Sequence, residues 1–568
     1  MIRNRFGGAV LFLLIQTGAL AADDTGSGIE LLSYRLRADF GAALNADEGW
    51  AALENTSAAL NYDQPFRLRV QVRAAATVPQ GHLLNLQYRW QGGAWSTVGV
   101  ARFPYPSLAS PLLSVTATEA YADGEETRRL LGDPTLEWDA GAGLNLTAAT
   151  PVWRGGGDTV EWEWPLVARR FSDGPTFAEN GANIELRLVD GGGLPLAGPR
   201  MSAQFSAAPG HLGGTFIETP ARIGPYQTDD GTLYFFMEPA ETDNRFMAVM
   251  STDYGQSWRE ADGAARPSVS DLEGVASVRI GSIVHIIHQV SHEVFYHAFE
   301  LADAGAGHWL VNSESIAKPE GEPPTQIADV IARSDGSLLA LYGGARRLFL
   351  QIRSARGEWG APVEIDAAIE PALSGAVLAL GKDDAVTLAY TGRDGRGFIR
   401  HLFVDGTLSE RLTLSSKLGA SEAEDAVILP LVALPDSGTS VVLYRETDGF
   451  LYERRFTPEG ELSTPIQVSN TAVITNAVDS EQVGADLVLH DGTLHLLFID
   501  AERRSIQYTR SDMAGRWAEP TAVVEGIEAS WLRGSIHRDA EGNAVYGFVY
   551  DAGSKGGSGF NEYKALPL

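Results

Sequence analysis

From residue 229 onward the chain keeps returning to one pattern: a polar, Gly- or Asp-bearing turn followed at once by an apolar run of strand length. The copies are "DDGTLYFFM" (229–237), "IGSIVHIIH" (280–288), "SDGSLLALY" (334–342) and "GKDDAVTLAY" (381–390), then "PDSGTSVVLY" (435–444), "HDGTLHLLF" (490–498) and "AEGNAVYGFVY" (540–550). Their interval, roughly 45 to 57 residues, is the length of one four-stranded propeller blade. One such unit cannot bury its own apolar faces, so the repetition demands a stack or a ring of them.

The last unit carries strands near "LRGSIHR" (532–538), "AVYGFVY" (544–550) and "NEYKALPL" (561–568) and then runs out of chain. A fourth strand from "GGTFIET" (213–219), just before the first unit, would complete it and leave no open edge. The expected fold is all-β, with a seven-bladed β-propeller over 209–568. Residues 22–208 alternate apolar and polar side chains in short runs, as in "FRLRVQVRA" (66–74), "NLQYRW" (85–90) and "NIELRLV" (183–189). This period of two, with Gly-rich turns, predicts an N-terminal antiparallel β-sandwich.

Arg3 and Arg5, the apolar run Ala9–Ile15 and the small-residue signal Ala19-Leu20-Ala21 predict a secretory signal over 1–21, and hence a secreted or periplasmic protein. No other apolar run is long enough to expect stable membrane insertion. The chain has no cysteine, which excludes disulfides and thiolate metal sites. Its formal net charge of −29 argues against nucleic acid as a partner.

One motif stands out, "STDYGQSW" (251–258), which fits Ser/Thr-x-Asp-x-Gly-x-x-Trp. It resembles the Asp box of the sialidase-like propellers, and "IRSARGEW" (352–359) and "TRSDMAGRW" (509–517) are faded copies. In such a box Asp253 would accept backbone N–H bonds across a hairpin, Gly255 would permit the tight turn, and Trp258 would pack between strands. The resemblance implies that this hairpin joins the third and fourth strands of a blade, on the face away from the active site.

The functional face is then the other one, where first strands begin and second strands end. Aligned on their turns, the units place Arg222, Glu273, Gln326, Gln482 and Arg533 at the starts of first strands. Glu238, His288-Gln289, Tyr342, Tyr390, Tyr444-Arg445 and Asp551 stand at the ends of second strands. Polar groups converging on one axis suit a polyhydroxylated ligand, so the expected partner is a glycan or polysaccharide. By resemblance to sialidases, the order Arg222, Glu238, Asp243, Asp box implies a carboxylate-binding Arg222 and a general acid/base Asp243 acting on an acidic sugar. Gly224 and Pro239 depart from the family pattern, and Arg393, Arg445 and Arg533 are positional candidates for its further arginines.

Two other readings stay open. A propeller polysaccharide lyase would share among His288, Tyr342, Tyr390, Tyr444 and Arg445 the tasks of neutralising a uronate and moving its protons. A lectin-like propeller would bind at the same mouth without cleaving. No cofactor is expected; calcium could sit in "SEAEDA" (421–426) or "DSEQVGAD" (479–486), although neither has the ligand spacing of a known loop.

Overall fold

The computed structural model describes residues 28–568 apart from 39–40, 75–82, 101–111, 154–157, 173–175, 215–218, 238–245, 263–265, 268–273, 291, 304, 321–326, 370–374, 393–395, 419–427, 474–483, 501–503, 513–514, 528, 530 and 553–560. The described chain is all-β. Its single helical element is a short 3-10 turn, Lys382–Asp384.

Two five-stranded sheets come first. One orders Ile29–Arg37, Phe66–Ala74, Thr159–Ala168, Leu113–Val115 and Gly99–Val100. The other orders Ala58–Asn61, Met201–Ser206, Ala182–Val189, Asn85–Trp90 and Ser96–Thr97. Alternation explains the second sheet: Ile184, Leu186 and Leu188 are buried, whereas Asn183, Glu185 and Arg187 between them are only partly so. The inward residues of both sheets form one apolar cluster, with Phe66 and Phe205 meeting at 5.4 Å between ring centres.

The first sheet departs from simple alternation, because its polar face is buried as well. Loops lie over Arg67, Arg69, Glu161 and Glu163, all fully enclosed. Arg69 donates to Glu161 at 2.6 Å and to Glu163 at 3.0 Å, and Arg67 pairs with Glu163 at 3.0 Å. Backbone carbonyls of Ala42, Leu44 and Arg128 take further guanidinium N–H groups.

The remaining strands build successive antiparallel sheets. The first holds Tyr226–Gln227, Leu233–Met237, Met247–Ser251 and Arg259–Glu260. The later sheets repeat that meander, opening in turn on Gly274–Ile280, Ala328–Ala332, Ala376–Leu380, Ile428–Ala433, Ala485–His490 and Leu532–Arg538. From Gly274–Ile280 onward, each opening strand lies beside the opening strand of the next sheet, and Leu532–Arg538 returns to Thr219–Arg222 and Tyr226–Gln227. That circuit is a β-propeller.

Its closure differs in detail from expectation. The strand that completes the last sheet is His211–Gly213, antiparallel to Asn561–Pro567, whereas Thr219–Arg222 pairs in parallel with Gly274–Ile280 on the inside. One segment thus closes the ring at its rim and then delivers Arg222 to its axis. The closing strand is also fastened from outside. Arg170, buried beside the N-terminal sheets, donates to the carbonyls of His211 and Trp258, and the His211 ring bonds Asp63 at 2.8 Å.

The 251–258 hairpin joins the third and fourth strands of the first sheet. Asp253 accepts from Ser251 Oγ at 2.7 Å and from the Ser257 backbone N–H at 2.8 Å. Burial alone would raise the Asp253 pKa, but the bonds from Ser257 and Ser251 outweigh it and hold the carboxyl below its ordinary range. Gly255 has φ +90°, and a Cβ there would come within 2.0 Å of the Tyr563 ring. Trp258 is buried against that same ring. Replacing Trp258 by alanine is expected to cost about 3 kcal/mol, the lower end for a buried tryptophan because Tyr563 can shift into the gap. Urea unfolding followed by circular dichroism reads that loss.

Three sheets share a His–Tyr pair: His285 with Tyr296 at 2.7 Å and His495 with Tyr508 at 2.8 Å on neighbouring strands, and His537 with Tyr563 at 2.7 Å across the strand Ala544–Asp551 between them. Burial depresses each imidazole to about 4. An unfolded chain protonates these rings near pH 6.5, so between about pH 6.5 and 4 it takes up protons that the folded chain refuses. Their contribution to stability is therefore lost as pH falls through that window. The urea midpoint should drop from pH 7 to pH 5, and drop less in His285→Gln; equal drops in the two proteins would refute this origin.

Candidate functional site

Innermost strands of a ring bring their side chains to the axis, and here three of them carry a charge at the same place. Asp329, Asp486 and Arg533 are each the second residue of an opening strand. Arg222 joins them from Thr219–Arg222. A cavity of about 230 Å³ lies against Arg222, Tyr226, Ser277, Asp486 and Arg533.

Arg222 donates through Nη2 to Asp329 Oδ2 and to the Leu378 carbonyl, both at 2.5 Å. Asp329 is fully enclosed and also accepts the backbone N–H groups of Leu378 at 2.7 Å and Val330 at 2.8 Å. Burial raises its pKa, opposed chiefly by Arg222. Asp486 accepts from the Gly534 N–H at 2.9 Å and the Tyr546 hydroxyl at 2.7 Å. Burial raises the Asp486 carboxyl and lowers the Arg533 guanidinium, and each group opposes the other's shift. Arg533 donates to the carbonyls of Ala485 and Leu532 at 2.9 and 2.6 Å. Ser277 gives its proton to the Arg222 carbonyl at 2.8 Å, which leaves the Tyr226 hydroxyl to donate to Ser277 at 2.7 Å. Burial pushes Tyr226 up to about 12.

Both carboxylates are committed supports. Arg222 differs: its side chain is 39% exposed while its partner Asp329 is 0% exposed. A guanidinium fixed from behind and open in front can hold a carboxylate or a set of hydroxyls.

Of the residues chosen from the sequence, the structure brings Arg222 and Arg533 to this cavity. His288 is buried among rings instead, 6.3 Å from Phe246 and 5.9 Å from His297 between centres. Tyr444 is buried and stacked on Tyr452 at 6.0 Å, and burial raises its pKa. Tyr342 donates to Gln351 at 3.1 Å and Tyr390 to Asp366 at 2.8 Å, so both hydroxyls are engaged along their own sheets. Arg445 donates to the Val473 carbonyl at 3.0 Å. Glu238, Asp243, Glu273, Gln326, Arg393 and Gln482 lie outside the described residues, as does "SEAEDA".

Asp329 was not among the sequence candidates, and Asp486 entered only as the last residue of the calcium candidate "DSEQVGAD". The signal was present: "IADVIA" (327–332) and "GADLVL" (484–489) repeat an Ala-Asp pair opening an apolar strand. A lone carboxylate at the same register of two repeats marks the axis, whereas Gln326 and Gln482 stand just upstream of those strands. Among the described residues, no group of three or more His, Cys, Asp or Glu could hold a metal ion, and no helix is long and apolar enough to cross a membrane.

No family model matches the chain, and no curated protein matches it. Among solved structures it is similar to the BP39L lectin from Burkholderia pseudomallei, at 13% identity over 62% of this chain and 100% of that one, with a TM-score of 0.47. It is similar to the periplasmic gluconolactonase PpgL of Pseudomonas aeruginosa, at 17% identity over 60% and 92% of the two chains, with a TM-score of 0.38. A third similar structure is the SapL1 lectin in complex with alpha methyl fucoside, at 13% identity over 52% and 95%, with a TM-score of 0.32.

Proposed function

We propose that this is an exported, carbohydrate-directed protein of the sialidase-like kind, with a signal over 1–21, a β-sandwich over 22–208 and a seven-bladed propeller over 209–568. The two N-terminal sheets with their shared core support the sandwich, and the circuit of sheets among the described residues supports the blade count. The ligand is an acidic sugar whose carboxylate meets the open side of Arg222. The observation that carries this reading is that exposed guanidinium, braced by enclosed Asp329 at an axial cavity. Hydrolysis of the glycosidic bond would fall to Asp243 and Glu238.

Arg222→Lys keeps the charge but loses the planar fork, so binding of sialosides or uronate oligomers should weaken roughly tenfold or more, about 1.4 kcal/mol. Calorimetric titration over both ligand classes tests this; native-like affinity of the variant for every acidic glycan that the protein holds would sink it. A second reading, binding without cleavage, is favoured by Asp329 and Asp486, which are enclosed and already bonded and so poorly placed to deliver a proton. Tight binding with no turnover of any bound glycan would select it.

A further inference from the structure

A second cavity lies toward the other end of the innermost strands, between the first and last propeller sheets, and shares Tyr226, Arg279 and Ser535 with the lining of the axial cavity. It measures about 660 Å³, within the range of small-molecule sites and with room for roughly one or two sugar rings. We infer that this cleft is a second saccharide site, taking a neutral mono- or disaccharide and adjoining the site at Arg222.

The walls are fixed without any ligand. Gln227 bridges the two sheets, donating to the Arg538 carbonyl at 2.8 Å and accepting the Arg538 N–H at 2.9 Å. Arg279 donates through Nε to Gly281 at 2.6 Å and through Nη1 to Gln227, and Arg538 donates to Gly542 at 2.7 Å. Asp539 accepts the N–H groups of Glu541 at 3.0 Å and Asn543 at 2.8 Å. A preorganised lining spares a ligand the cost of ordering it.

Tyr254 is the aromatic at the tip of the hairpin. It sits at φ +58° beside Gly255 at φ +90°, and the Gln256 N–H reaches the Asp253 carbonyl at 3.4 Å, so the tight two-residue turn itself sets both left-handed residues. The hairpin bonds run through Ser251, Asp253, Ser257 and Trp258 and do not use the tyrosine side chain. The turn leaves the ring free to form part of the cleft wall. It lies so close to Gly231 that a Cβ there would be 3.0 Å from its hydroxyl, and it stays half-buried. A partly open aromatic face beside fixed donors (Arg279, Arg538) and acceptors (Asp229, Asp539) suits a sugar, which offers C–H faces and hydroxyls together. Asp229, Asp230 and Asp539 outnumber Arg279 and Arg538 in the lining, and the chain carries −29 overall. Both facts disfavour an acidic sugar here and favour a neutral one.

The test is saturation-transfer NMR and calorimetry with the methyl glycosides of galactose, glucose, mannose and fucose, and with lactose and maltose. The full chain is compared with Tyr254→Asn and Asp229→Ala. Asparagine tolerates positive φ, so the first variant removes the ring and keeps the turn; urea unfolding confirms that both remain folded. At least one of these sugars should bind, and Tyr254→Asn should lower its affinity at least tenfold. The inference is overturned if none binds the native protein, or if both variants bind like it. It is equally overturned if Arg222→Lys loses the neutral sugar while Tyr254→Asn keeps it, since the ligand then sits at the axis. Failure of acidic-glycan binding at Arg222 leaves it untouched.

Discussion

Glu163→Ala should destabilise the N-terminal sheets by about 3–5 kcal/mol, the cost of breaking a buried ion pair from one side. The reason is arithmetic of charge in an enclosed layer. Arg67 and Arg69 both pair with Glu163 at 3.0 Å, and Arg37 lies 4.0 Å from it, all with side chains that are 0% exposed. Removing the carboxylate leaves three enclosed guanidinium groups facing Glu161, with Asp47 acting on Arg37. The loss is a large share of the roughly 5–15 kcal/mol that holds a typical domain. Trp162 and Trp164 stand on the same strand as Glu163, so tryptophan fluorescence during urea unfolding reports the event directly. Glu163→Gln, which keeps an acceptor but not the charge, should fall between native and alanine. A loss below about 1 kcal/mol in the alanine variant would mean that the layer is wet or that the backbone carbonyls suffice.

Asp243→Asn carries the other large effect. If hydrolysis occurs, removing its proton donor should slow turnover by about 10² to 10⁴ while affinity stays near native. Single-turnover assays on an acidic glycan, paired with titration of the same glycan, separate the two quantities. A native rate in the variant would retire Asp243 as the catalyst. An unsaturated product would show elimination instead. The case for Asp243 rests on its order after Arg222 and Glu238 and before the 251–258 hairpin.

Much of this architecture is legible in the sequence. The turn-plus-strand repeats fall on the observed hairpins between first and second strands, from 228–232 to 539–543, because Gly and Asp are what those turns need. The closing strand was placed a little late, at 213–219, since pairing partners in a short rim strand leave no period to read. The enclosed Arg67–Glu163 layer was invisible for a related reason. Alternation assigns every second residue to solvent, and only the loops that return over that face overturn the assignment. At the axis, Arg222 and Arg533 could be chosen because arginine at a strand start is conspicuous. The carboxylates that brace them lay inside strands, where the eye follows apolar residues.

The fastening of His211–Gly213 bears on how this chain assembles. The strand that seals the propeller precedes its partner Asn561–Pro567 by about 350 residues. Every intermediate sheet must therefore wait with an unsealed rim, exposed to the mispairing that besets long-range β topologies. By then the N-terminal sheets can already be folded, holding the sealing strand in place through Asp63 and Arg170. They act as a vise that turns a search by two loose ends into docking of one end on a fixed edge. A propeller begun at residue 209 keeps every blade strand but loses the vise, so it should refold more slowly and aggregate more readily than the full chain, even where the finished rings are the same.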